Sequence, residues 1–143
     1  MKLQKLISKL EKHHKKKLDL SLGRTFNLLK KLGNPQDKLK NIITVVGTNA
    51  KASMCYSLKS ILNQAGYKTN LYTSPHLLSY TERYVFDDKE INEEDLIKLL
   101  TDVEKTLGDD NATLFEILTC AFLKHAENFK DNINIIEAGL FHQ

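Results

Sequence analysis

Apolar residues at 3, 6, 7 and 10 recur with helical spacing and predict a first helix over residues 2–17. Ser21 is placed to cap a second helix carrying Phe26, Leu29 and Leu32 on one face, which Gly33 ends and Pro35 keeps from continuing. Residues 36–40 read as a polar linker. At 42–46 the pattern changes to an unbroken apolar run, which suits a strand buried in a parallel sheet better than a one-sided antiparallel strand. Helical spacing returns with Met54, Leu58, Ile61, Leu62 and Ala65 as an expected buried stripe, and Gly66 as the stop. A second strand is expected at 68–73, a loop at 74–83, and a short extended excursion at 84–91 with a turn at Asp87-Asp88. Asn92 caps a helix whose first turn, Glu93, Glu94 and Asp95, puts negative charge at the positive end of the helix dipole. Its buried stripe is Leu96, Leu100, Val103 and Leu107, and Gly108 ends it. Thr113 and Glu116 have capping-box spacing and open a helix that is apolar almost all round. Ile133, Ile135 and Ile136 mark a last strand.

Strands alternating with helices predict an α/β fold: a doubly wound parallel sheet in three layers, with parallel strands near 42–46, 68–73 and 133–137. The helices before residue 35 are expected at its edge. Residues 141–143 follow directly on a core strand, which suggests that the sequence is part of a longer protein.

The length of 143 residues is that of one domain, and a 41% hydrophobic content is enough for a core. Net charge is only +3, and much of the excess lies in Lys12 and Lys15 to Lys17. Without interleaved aromatics such a run reads as the solvated end of an amphipathic helix, so neither nucleic acid nor a membrane is an expected partner. His13 and His14 lack neighbours at ligand spacing and are read as exposed. Cys55 and Cys120 are isolated, form no metal motif or disulfide framework, and are expected to pack as small apolar residues. No apolar run approaches the ~18 residues of a membrane span. The opening residues do not form a signal peptide, and a cytoplasmic location is expected.

The chemistry concentrates in Thr44 to Ser53. A β-branched strand runs into Gly47, Thr48, Asn49, Ala50, Lys51, Ala52 and Ser53, and a helix follows at once. Such a loop aims backbone N–H groups inward, the helix N-terminus adds partial positive charge and the lysine a full one, which suits the phosphates of a nucleotide. Glycine is expected where Ala50 and Ala52 stand, so the strict pattern G-x-x-x-x-G-K-[ST] is not met. If position 50 is left-handed, alanine costs roughly 1–2 kcal/mol there. A relaxed loop that no longer binds nucleotide is the alternative.

Downstream stand Tyr72-Thr73-Ser74-Pro75-His76-Leu77, Glu82-Arg83, Thr113-Leu114-Phe115-Glu116 and Ile136-Glu137-Ala138-Gly139-Leu140. In this order the segments resemble the folylpolyglutamate synthase and dihydrofolate synthase family of the Mur ligase superfamily, whose members carry G-T-N-G-K-G-S, Y-T-S-P-H-L, E-R, T-x-F-E and E-x-G-L-G-G-R. Gly33-Asn34-Pro35 resembles the family's lead-in to its first strand. The S-P-H-L element discriminates best, because other Mur ligases share the phosphate loop but not that sequence. The resemblance covers nearly all of the chain, but only about the first third of a family member.

The resemblance implies that residues 1–143 are the N-terminal part of the ATP-binding domain, with a helical lead-in over 1–40 and the C-terminal domain absent. It implies an ATP-dependent ligase of folate biosynthesis and one-carbon metabolism, a monomer at full length, that joins L-glutamate to dihydropteroate or folates through an acyl phosphate. Gly47 to Ser53 would bind ATP, with Lys51 on its outer phosphates. Ser74 and Glu137, each following the end of a predicted parallel strand, would hold Mg²⁺, and Lys51 and Glu137 would be the catalytic pair. His76 and Arg83 would bind substrate. A turn role remains open for Ser74, a packing role for His76, a structural ion pair for Glu82 and Arg83, and simple helix capping for Glu116. The family's remaining metal ligands, modified lysine and glutamate-binding domain would lie beyond Gln143, leaving this stretch inactive by itself. Two further readings are a non-catalytic nucleotide- or pteridine-binding remnant and an unrelated phosphate-loop kinase or NTPase.

Overall fold

The computed structural model describes residues 2–14 and 23–138. The end of the first expected helix, the Ser21 cap and Gly139-Leu140 lie outside the described residues. The chain forms two compact units, residues 1–37 with 92–125, and residues 38–91 with 126–143.

The first unit is helical: α1 (Lys2–His13), α2 (Gly23–Lys31), α4 (Glu93–Leu107) and α5 (Leu114–Ala126). The apolar stripes of α1 and α4 meet, and Leu3, Ile7, Leu10, Leu96, Leu100, Val103 and Leu107 are all buried. Asn92 caps α4, accepting the Asp95 N–H at 2.7 Å. The reciprocal bonds of Thr113 and Glu116 cap α5, and Arg24 holds the same Glu116 carboxylate through Nε and Nη2 at 3.3 and 2.7 Å. Glu116 therefore has a full structural role. Two expectations fail. In α2 the buried residues are Leu28 and Leu29, with Leu32 just beyond, whereas Phe26 is 58% exposed. His14 is not free in solvent: its Nε2 lies 3.1 Å from Glu104 Oε2, because the last turn of α1 runs beside α4.

The second unit is the α/β part: β1 (Asn41–Val45), α3 (Lys51–Gln64), β2 (Thr69–Tyr72), β3 (Tyr84–Phe86), β4 (Lys89–Glu90) and β5 (Ile133–Glu137). The strand order is β1-β5-β2-β3-β4. Strands β1, β5 and β2 are parallel, in line with the expected strands near 42–46, 68–73 and 133–137. The excursion at 84–91 adds a hairpin, antiparallel to β2, so the sheet is mixed. Its turn is Asp87-Asp88, both at positive φ (54° and 65°), as a tight hairpin of this hand requires. Among the described residues β1 pairs only with β5, and Ile42 is 43% exposed, more than its composition suggested.

Helix α3 covers one face of the sheet. Cys55 packs with Val45, Leu71, Val85 and Ile135, and Leu58 and Leu62 close over them. The line of α3 turned to the sheet is therefore 51-55-58-62, buried at Lys51 and Cys55 and partly buried at Leu58 and Leu62, while Met54 and Ile61, expected inside, are 53% and 63% exposed. Apolar residues occur on both sides of this helix, so composition does not fix its rotation.

Candidate functional site

The carboxyl ends of the parallel strands bring the sequence-marked residues together. Beyond β1 the chain turns through Gly47, at φ 146°, a backbone region that favours glycine. Ala50 sits at φ 59°, ψ 19°, the left-handed conformation, and α3 starts at Lys51 without a side-chain cap. The first-turn N–H groups of α3 consequently lack intrahelical acceptors, and the positive end of the helix faces the loop.

The left-handed angle at Ala50 belongs to the folded chain, where alanine carries its cost. Ala50→Gly is expected to remove the penalty of about 1–2 kcal/mol while adding about 0.4–1 kcal/mol of unfolded-state freedom. Urea unfolding should show a net effect between about zero and a gain of about 1.6 kcal/mol. A lower midpoint would mean that the turn carries no such strain.

Lys51 is 9% exposed, and its Nζ donates to the Ala138 carbonyl oxygen at 3.1 Å, just past the end of β5. Strand alternation puts Glu137 on the same sheet face as Ile135, the face that packs on α3. Glu137 is 6% exposed, and its Oε2 accepts the Ser74 backbone N–H at 3.3 Å. Lys51, Ser74 and Glu137 thus belong to one constellation, but it is the main chain of Ser74, not its hydroxyl, that meets Glu137. The other carboxylate oxygen has no hydrogen bond among the described residues. A buried carboxylate with a single neutral donor is short of positive charge, and its remaining oxygen suits a hard cation. Among the described residues no group of three or more His, Cys, Asp and Glu side chains could hold a metal, so such a cation would draw its other ligands from elsewhere.

Cys55, one turn after Lys51, lies beneath this constellation. Burial pushes its thiol up to about 11, the Glu137 carboxylate pushes the same way, and Lys51 opposes them. Cys120, in the helical unit, is pushed up to about 12 by burial and then by Glu116. Both values rise on folding from 9.0, so the stabilisation is complete below about pH 9 and is lost as pH climbs towards the folded values. Both thiols should resist iodoacetamide at pH 8 in the folded chain and react in urea. Modification of Cys55 in the native state would show that the constellation is more open than described.

The loop after β2 is held from several sides. Glu82 accepts the backbone N–H groups of Leu77, Leu78 and Ser79 at 3.0, 2.7 and 2.7 Å, and these bonds hold its carboxyl below the usual range. Arg83 does not pair with Glu82. Its Nε donates to His76 Nδ1 at 2.9 Å, and its guanidinium lies over the Tyr80 ring at 4.6 Å. Adjacent residues on a tight turn point apart, so the expected Glu82–Arg83 ion pair does not form. Burial, then Arg83, lower the His76 pKa, and Glu82 partly opposes them. Tyr80, four residues beyond His76, is the member of this cluster that the sequence reading missed; its ring lies 4.1 Å from the imidazole.

No protein-family model matches the chain. It is 37% identical over 134 residues to the dihydrofolate synthase/folylpolyglutamate synthase of Escherichia coli, a match that takes in 94% of this chain and 32% of that protein. Its fold is similar to that of E. coli FolC in complex with DHPP and ADP, with a TM-score of 0.88 and 36% identity over 96% of this chain and 33% of the other. The bifunctional folylpolyglutamate synthase/dihydrofolate synthase of Yersinia pestis, complexed with AMPPNP and Mn ion, is similar at a TM-score of 0.88 and 33% identity, again over 96% of this chain and 33% of the other. The chain thus spans about a third of the length of the relatives it matches.

Proposed function

We propose that this chain, which over the region it covers belongs to the folylpolyglutamate synthase/dihydrofolate synthase family, supplies the phosphate-binding part of an ATP-dependent ligase that joins L-glutamate to dihydropteroate or a folate. The observation that carries the reading is the convergence of Lys51 and Glu137 on one face of the sheet, at the carboxyl ends of β1 and β5. Open α/β sheets place their ligands at such ends.

The residues fit the groups that the relatives hold. Lys51 Nζ has three donors, of which the Ala138 carbonyl takes one, leaving donors for phosphate oxygens. The α3 N-terminus and the backbone of Gly47 to Ser53 would receive the remaining charge, with the Ser53 hydroxyl at hand. Glu137, with Ser74 beside it, would hold Mg²⁺, which when bound neutralises phosphate charge. In the ligase reaction the γ-phosphoryl group passes from ATP to a substrate carboxylate oxygen. The glutamate amine then attacks the acyl carbon, loses a proton, and phosphate leaves. The contribution of this chain is positioning and charge neutralisation rather than covalent chemistry. His76 and Arg83 would lie on the substrate side. We further read residues 1–143 as the N-terminal part of the ATP-binding domain, acting in the cytoplasm and monomeric at full length.

Calorimetric titration with ATP and magnesium tests the reading. Saturable binding that requires magnesium supports it; no heat at millimolar ATP overturns it in favour of a remnant that binds no nucleotide. Ala50 keeps the left-handed conformation at φ 59°, which speaks against the relaxed loop of that second reading. Glutamate-dependent phosphate release is expected to be absent from the 143-residue chain alone, because its described residues offer the metal a single carboxylate.

A further inference from the structure

We propose that Arg83 is a positioning residue, whose Nε–H holds His76 as the neutral tautomer that carries its proton on Nε2, so that the loop presents a fixed N–H donor to an acceptor atom of the substrate. The proposal rests on the reading of this loop as substrate-facing, but its first test does not.

The argument begins with the bond of 2.9 Å between Arg83 Nε and His76 Nδ1. A guanidinium has donors only. Nδ1 must therefore be the acceptor and bear no proton, which in a neutral imidazole leaves the proton on Nε2. A protonated ring would turn a second N–H against a donor, so the geometry selects the neutral form as well as the tautomer. Nε2 has no hydrogen-bond partner among the described residues, and the side chain is only half-buried.

The surroundings keep this arrangement rigid. Tyr80 is a common platform, with the imidazole at 4.1 Å and the guanidinium at 4.6 Å from its ring centre. The backbone at Arg83 is tied to the end of β2, where the Thr73 N–H donates to the Arg83 carbonyl at 3.2 Å. Glu82 gathers the three N–H groups of residues 77–79 and so fixes the chain that follows His76. Arg83 commits Nε to His76 and its face to Tyr80, so the part of its contribution proposed here passes through the histidine. A donor held in advance favours a ligand bearing a carbonyl, carboxylate or ring-nitrogen acceptor at that point, and disfavours one bearing a donor.

The experiment is a long-range ¹H–¹⁵N spectrum of the ¹⁵N-histidine-labelled chain at pH 8, with His76→Gln identifying the resonances. The wild type is expected to show His76 as a single Nε2–H tautomer. Arg83→Leu, which removes the donor, should give a mixture of the two neutral tautomers, and Arg83→Gln, which keeps a donor, should restore much of the Nε2–H form. A wild-type spectrum with mixed or Nδ1–H tautomers overturns the proposal without any variant. So does an Arg83→Leu spectrum identical to wild type. Added dihydropteroate is expected to move the His76 Nε2–H resonance, and an unmoved resonance overturns the donor role. None of these readings depends on ATP, so a failure here is distinct from a failure of the nucleotide site.

Discussion

Replacing Lys51 with alanine is expected to abolish detectable binding of ATP with magnesium. No other lysine or arginine stands between Val46 and Ser53. A charge-assisted hydrogen bond contributes about 1.5–3 kcal/mol, which is roughly ten- to a hundredfold in affinity. Because Lys51 is almost fully buried, alanine also removes packing. Lys51→Met separates the two effects: it should keep the urea midpoint near that of wild type and still lose the binding heat. Retention of wild-type affinity in the methionine variant would show that the phosphates are held by the backbone alone, or that the loop is not their site.

The second large effect is expected on stability, at the opposite end of the parallel strands. Asn70 and Asn134 are register partners on β2 and β5, and both are wholly buried. Asn70 Oδ1 accepts the Asp87 backbone N–H at 3.0 Å and Asn132 Nδ2 at 3.1 Å, while Asn70 Nδ2 donates to Asn134 Oδ1 at 3.0 Å. The Asp87 N–H can only donate, which fixes the orientation of the amide and therefore of the ladder. Strand β5 is thereby joined through β2 to the turn of the β3–β4 hairpin. Asn70→Ala would leave the Asn134 oxygen buried without a partner and release the hairpin turn. The expected loss is about 2–4 kcal/mol in urea unfolding, against a total stability of about 5–15 kcal/mol for a domain. Loss of less than about 0.5 kcal/mol would mean that water satisfies these amides and that the ladder does not anchor the hairpin.

The order of the elements was legible in the sequence because each is set by local chemistry. A β-branched run bounded by polar residues, Asn92 ahead of three acids, and Thr113 with Glu116 three residues on each impose their element through backbone preference or a cap. The phosphate loop and the S-P-H-L segment were legible for the same reason: their residue types and order are contiguous. The stripe of α4 was also legible, since its apolar residues lie on one side only and leave no choice of face.

What tertiary structure decided was rotation, pairing and partner. Helix α3 has apolar residues on two sides, and only its packing on the sheet shows that 51-55-58-62 faces inward, with Lys51 reaching the end of β5. Strand β1 pairs with β5 rather than with β2, the next strand in sequence. Arg83 chose His76 rather than its sequence neighbour Glu82, and His14 chose Glu104, because side-chain partners are set by distance in space. The asparagines of β2 and β5 were invisible as a set for the same reason: residues 70 and 134 are far apart in the chain, and only strand pairing brings their amides within 3.0 Å. Sequence patterns specify what each segment prefers to be, whereas long-range partners appear only once the backbone has closed those distances.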